Sequence, residues 1–143
     1  MNSTLRNILA VVAGLIAGGF ANMILISLGP RVFPPPAGMD MNDVESIRAH
    51  AHLLQPQHFV FPFLAHAANA FVGALAAYTV SASRHAVFAW AMGIVSLCGG
   101  IAAAFMIPAP KWFVALDLLV AYLPLAWLAI KVGEKVTAKS PAA

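Results

Sequence analysis

Four long apolar runs, separated by short segments rich in proline and charge, set the pattern of the chain. The first is Ile8–Leu28, with Arg6 just ahead of it. The second, Phe59–Val80, carries no formal charge but encloses His66 and Asn69. Ala86–Ile107 is the third, and Trp112–Ile130, with Asp117 and Pro124 inside it, is the fourth. A helix rises ~1.5 Å per residue, so about 20 apolar residues cross ~30 Å of hydrocarbon, and each run is near that length. Arg6, the apolar run and Gly19-Phe20-Ala21 also resemble the three regions of a signal peptide. Met23 to Leu28 carry the hydrophobicity past such a cleavage point, which favours a retained helix.

The intervening segments have their own signals. Gly29-Pro30 is expected to end the first helix, and Pro34-Pro35-Pro36 makes a stiff extended spacer. Met41–Leu54 reads as a short amphipathic helix, with Val44, Ile47, Ala51 and Leu54 on one face. Asn42 and Glu45 have the spacing of a capping box, and Asp40 is an alternative cap. This helix is too short to span and is expected on the membrane surface or over the bundle end. Ser81–His85 and Pro108–Lys111 are tight connections, and a polar, frayed tail is expected over 131–143. The expected fold is all-α: one integral membrane domain with a four-helix bundle. An outer-side loop, 29–58, carries the surface helix between the first and second spans.

Composition narrows the class. The chain is 62% hydrophobic and only 9% charged, against roughly a quarter charged in soluble domains. The net charge of +3 is spread over helix ends, so nucleic acid is excluded as an expected partner. Arg6, Arg84, Lys131, Lys135 and Lys139 fall on one side, and Arg31, Arg48 and Lys111 on the other. That excess places both termini in the cytoplasm. Cys98 is the single cysteine, lies in an apolar run and reads as a packing residue.

Polar residues inside the runs are the candidate chemistry, because they are costly in hydrocarbon. Counted from the outer helix ends, His66 lies roughly 10 Å deep, Asn22 roughly 9 Å and Asp117 roughly 7–8 Å. Asn69 is nearer the midplane. A carboxylate at the helix centre costs about 2.5–3.5 kcal/mol on insertion scales, which contact with His66 would lower. The His66–Asp117 contact is therefore the expected centre of a polar layer of His66, Asn69, Asp117 and Asn22. Small residues mark where backbones approach: the GxxxG pair Gly14 and Gly18, with Gly73, Gly99 and Gly100. The polar layer is open to three uses: gluing helices together, a proton or small-solute pathway, or a ligand pocket.

His50, His52 and His58 raise the question of a metal, but on a helix His50 and His52 point about 200° apart. No specific metal site is expected, and no cofactor. GxSxG, HExxH and a phosphate-binding glycine loop in a suitable context are missing, so the sequence leans away from an enzyme.

The segments QPQHFVFPFLAHAANAFVGALAAY and MIPAPKWFVALDLLVAYLPLAWL resemble an uncharacterised family of small bacterial four-helix inner-membrane proteins. The resemblance implies a bacterial inner membrane and the fold, and it transfers no activity. The expected function is a structural or accessory role in the lipid bilayer, packing on itself or on a larger membrane complex. The alternative is a small-solute or proton-coupled carrier using His66 and Asp117.

Overall fold

Each of the four apolar runs becomes helical, and four helices are long and apolar enough to cross a membrane. The computed structural model describes residues 2–138, and all regular structure among them is helical. Helix α1 spans Ser3–Val32, longer at both ends than the expected 8–28. Asn2 caps it by accepting from the Thr4 amide, which draws the polar segment before Ile8 into the helix. Gly29-Pro30 does not end it. Pro30 lies inside the last turn, and the helix stops where Phe33 precedes Pro34 and turns extended. The residue before a proline is pushed out of the helical region, so the three-proline spacer is the true terminator.

The surface helix is shorter than the expected 41–54. Helix α2 spans Val44–His50 and tightens into a 3-10 turn at Ala51–Leu53. Its cap is Asp43, not Asn42, because Asp40 already holds the Asn42 amide in a preceding turn. Arg48 reaches across to the opposite helix pair, donating from Nε and Nη2 to the Met106 carbonyl at 3.2 and 2.9 Å. A further 3-10 turn, Pro56–Phe59, leads into α3, Val60–Val80, and α4 follows as His85–Met106. Both lie within a residue or so of the expected spans.

The fourth run is two helices. Helix α5 covers Lys111–Val120 and α6 covers Leu123–Ala138, with a break at Ala121–Tyr122. Pro124 has no N–H for the Val120 carbonyl, and the chain opens there. Residues 131–138, expected as frayed tail, continue α6, with Gly133 seated against the Tyr78 ring. Lys139 and the rest of that tail lie outside the described residues.

Helix α3 is the axis of the bundle, packed on α1, α4 and α6. The helices meet through small residues: Ala74 and Ala77 of α3, Ala89 of α4, and Ala126 and Ala129 of α6 are fully buried. Large side chains point the other way, with Phe105 87% and Leu119 73% exposed. Small residues inside and large apolar ones outside are the arrangement of helices that pack in lipid, where burying bulk gains little and close approach gains contacts. At the end carrying the termini, Arg6 Nε donates to the Val80 carbonyl and Asn7 accepts from the Ala82 amide. These contacts pin the start of α1 to the α3–α4 turn.

Candidate functional site

Register between α3 and α5 is set by aromatic packing at the α2 end of the bundle. Phe59 packs on Phe113 with ring centroids 4.7 Å apart and on Trp112 at 5.7 Å. Asp117 follows Phe113 by one helical turn and His66 follows Phe59 by two, and from these positions the two side chains reach each other. His66 Nδ1 lies 3.0 Å from both Asp117 oxygens, so Nδ1–H donates to the carboxylate. The expected central contact is present.

A third group completes the cluster. Tyr122 donates its hydroxyl to Asp117 Oδ2 at 2.7 Å, and its ring stacks beside the His66 imidazole at 5.8 Å. Tyr122 is 1% exposed and Asp117 4%, so two polar groups buried at apolar depth satisfy each other, which is the condition for their being there at all. Gly100 makes room, since a methyl group there would overlap the Tyr122 hydroxyl. The polarity of the sequence pattern did not single Tyr122 out. Five residues apart on a continuous helix, Asp117 and Tyr122 would point about 140° away from each other. The helix is interrupted at Ala121–Tyr122, between the two residues, and the sequence signal for that is Pro124.

The remaining polar residues border a cavity of about 310 Å³ between α1 and α4, floored by α3. His66 and Asn69 form its floor, Asn22 stands on the α1 wall, and Tyr122 closes one side. Asn69 Nδ2 donates to Ser96 Oγ at 3.2 Å, tying the floor to the α4 wall. With Nδ1 committed to Asp117, the His66 Nε2 has no hydrogen-bond partner among the described residues and remains accessible, the side chain being 25% exposed. Asn22 borders the same space without a hydrogen bond to His66 or Asp117. No Lys, Arg, Asp or Glu lines the cavity.

The glycines divide by role. Gly14 and Gly18 press α1 onto α3: added methyl groups would fall 2.8 Å from the Gly73 carbonyl and 2.6 Å from the Asn69 carbonyl. Gly73 is the reciprocal surface, and Gly100 packs on Tyr122. Gly99 does not pack. A methyl group there would meet nothing within 4 Å, because Gly99 lies on the cavity rim and not between helices.

The other histidines are dispersed. His50 Nδ1 donates to the Ser46 carbonyl at 2.8 Å, and His52 is exposed. His58 accepts from the Gln55 amide at Nδ1 and donates from Nε2 to the Pro34 carbonyl at 3.1 Å, clamping the proline spacer to the head of α3. Among the described residues no three His, Cys, Asp or Glu side chains are grouped to hold a metal ion.

The fold and cluster define a helical protein with four potential membrane spans and a His–Asp–Tyr triad beside a polar-floored cavity. No family model matches the sequence, and neither a curated protein nor a solved structure matches it.

Proposed function

We propose that the protein is a small carrier that binds a solute within the membrane and exchanges protons at His66. The observation that carries this reading is the division of labour on the imidazole. Nδ1 is fixed by Asp117, which sets the tautomer and orientation, and Nε2 is left free at the floor of the cavity. An imidazole held in this way offers a lone pair to a bound hydroxyl or water, and its protonated form keeps the carboxylate as counter-ion. A cavity of about 310 Å³ is within the range of small-molecule sites, about 300–1,000 Å³.

The structural or accessory role has less support. The GxxxG pair that would favour association with another chain is occupied inside the bundle, against Gly73 and Asn69. The setting proposed for the carrier is a bacterial inner membrane with both termini in the cytoplasm.

The test is proton movement into reconstituted vesicles that hold a pH-sensitive dye, driven by an imposed pH gradient. The charged or titratable groups facing His66 are Asp117 and Tyr122, and α1 and α4 bring none to the cavity. Faster dissipation of the gradient is expected with the native chain than with a His66→Gln variant. Equal rates, with both proteins folded, would overturn a proton-exchanging site.

A further inference from the structure

The cavity has an unusual mouth. Its α1 and α4 walls meet where Gly14 sits against Met92. Between them the rim is formed by Gly19 and Gly99, and a methyl group added at either would touch nothing within 4 Å. Leu15 and Val95, also on the rim, are about half exposed, on the outward faces that carry Ile16, Phe20 and Ile94. The opening therefore faces the same direction as the side chains suited to lipid.

We infer that the solute of this site is an amphiphile with a neutral oxygen head and an apolar tail, admitted sideways from the bilayer between Gly19 and Gly99. The inference rests on the proposed binding role of the His66 cavity and specifies what occupies it. The head is fixed by the floor: His66 Nε2 accepts from a hydroxyl, and the Asn69 and Asn22 amides donate to or accept from a hydroxyl or carbonyl. Neutrality follows from the lining, because no Lys or Arg is present to balance a phosphate or carboxylate. The tail follows from the mouth, where apolar rim residues leave a side-chain-free slot continuous with the lipid-facing surface. About 310 Å³ holds a head group and its first carbons, and the rest of the tail stays among lipid chains.

The experiment uses the full chain in vesicles with two photoreactive probes, dodecanol and butanol, each carrying a diazirine close to the hydroxyl. Adducts are mapped by mass spectrometry on the floor residues His66, Asn69 and Ser96. Labelling of Leu119, on the outer surface, reports simple contact with lipid-dissolved probe. Expected is floor labelling by the dodecanol probe well above that by the butanol probe. In a Gly19→Leu/Gly99→Leu variant it falls about fivefold or more relative to Leu119, a shift of roughly 1 kcal/mol in occupancy. Because both positions are open, the added side chains fill the mouth without disturbing packing, and His66-dependent proton movement provides the check that the site itself persists. Equal floor labelling by the two probes, or labelling unchanged in the double variant, would overturn lateral admission. If His66-dependent proton movement remains in that case, the proton-exchanging site stands and only the lipid-borne solute fails.

Discussion

Asp117 and Tyr122, five residues apart in one apolar run, share a 2.7 Å hydrogen bond across the interruption between α5 and α6. The Asp117 carboxylate accepts from two donors, His66 Nδ1–H and the Tyr122 hydroxyl, and its own burial is thereby compensated. Four consequences can be measured.

Asp117→Asn should be milder than Asp117→Leu. Asparagine keeps one oxygen for either donor, whereas leucine leaves both the imidazole N–H and the phenol without a partner. A buried group left unpaired costs about 1–3 kcal/mol, so the leucine variant is expected to lose most of its thermal stability margin in detergent. Equal midpoints for the two variants in a thermal melt would contradict a role based on accepting hydrogen bonds and would point to the charge itself.

Tyr122→Phe removes one donor and keeps the ring that packs on Gly100. A hydrogen bond to a charged group contributes about 1.5–3 kcal/mol, and a loss near the low end is expected because His66 remains on the carboxylate. Tyr122→Ala should be worse, since it also opens a void beside Gly100. The comparison is made by denaturation midpoint, and a phenylalanine variant as damaged as alanine would assign the stability to something other than the ring.

Gly18 and Gly19 are neighbours with opposite expectations. A side chain on Gly18 runs into the Asn69 backbone, and one on Gly19 meets open space. Gly18→Val should force α1 off α3, an overpacking effect of about 1–3 kcal/mol or more, while Gly19→Val leaves packing unchanged. Limited proteolysis near the α1–α3 loop reads the difference, and equal sensitivity would mean that α1 is docked some other way.

Arg48 holds α2 over the end of α4 through two N–H donors to one carbonyl. Arg48→Ala should release residues 44–50 and raise their amide exchange, with little change in the exchange of α3. Lysine restores charge but not the forked donor, so it should rescue only partly. Unchanged exchange over 44–50 in the alanine variant would show that Ile47 and Met39 burial holds the loop without the arginine.

Most of the architecture was legible because four apolar runs of similar length dominate the chain. All four runs became helical, but only α3 and α4 have ends within a residue or so of those expected. The errors came where local chemistry competes with that pattern. Pro30 was read as a stop, yet a proline in the final turn sacrifices only one donor, and the stronger constraint was Phe33 before Pro34. Asn42 looked like a cap, but Asp40 had already engaged it, and Asp43 took the position. The His66–Asp117 meeting was legible from depth alone, since both residues sit at similar distances from the same helix ends. Tyr122 was not, because helical periodicity points it away and the helix is interrupted between it and Asp117. Gly99 and Gly100 are indistinguishable as sequence, and the one-residue offset of about 100° puts one on a wall and the other on a rim.

The clasp between α1 and the α3–α4 turn bears on the order in which the chain can assemble. Arg6 finds its acceptor on Val80, and Asn7 its donor on Ala82. These partners emerge from synthesis more than seventy residues after Arg6 and Asn7 themselves. Helix α1 must therefore wait, unfastened at its charged end, until the α3–α4 turn has been made.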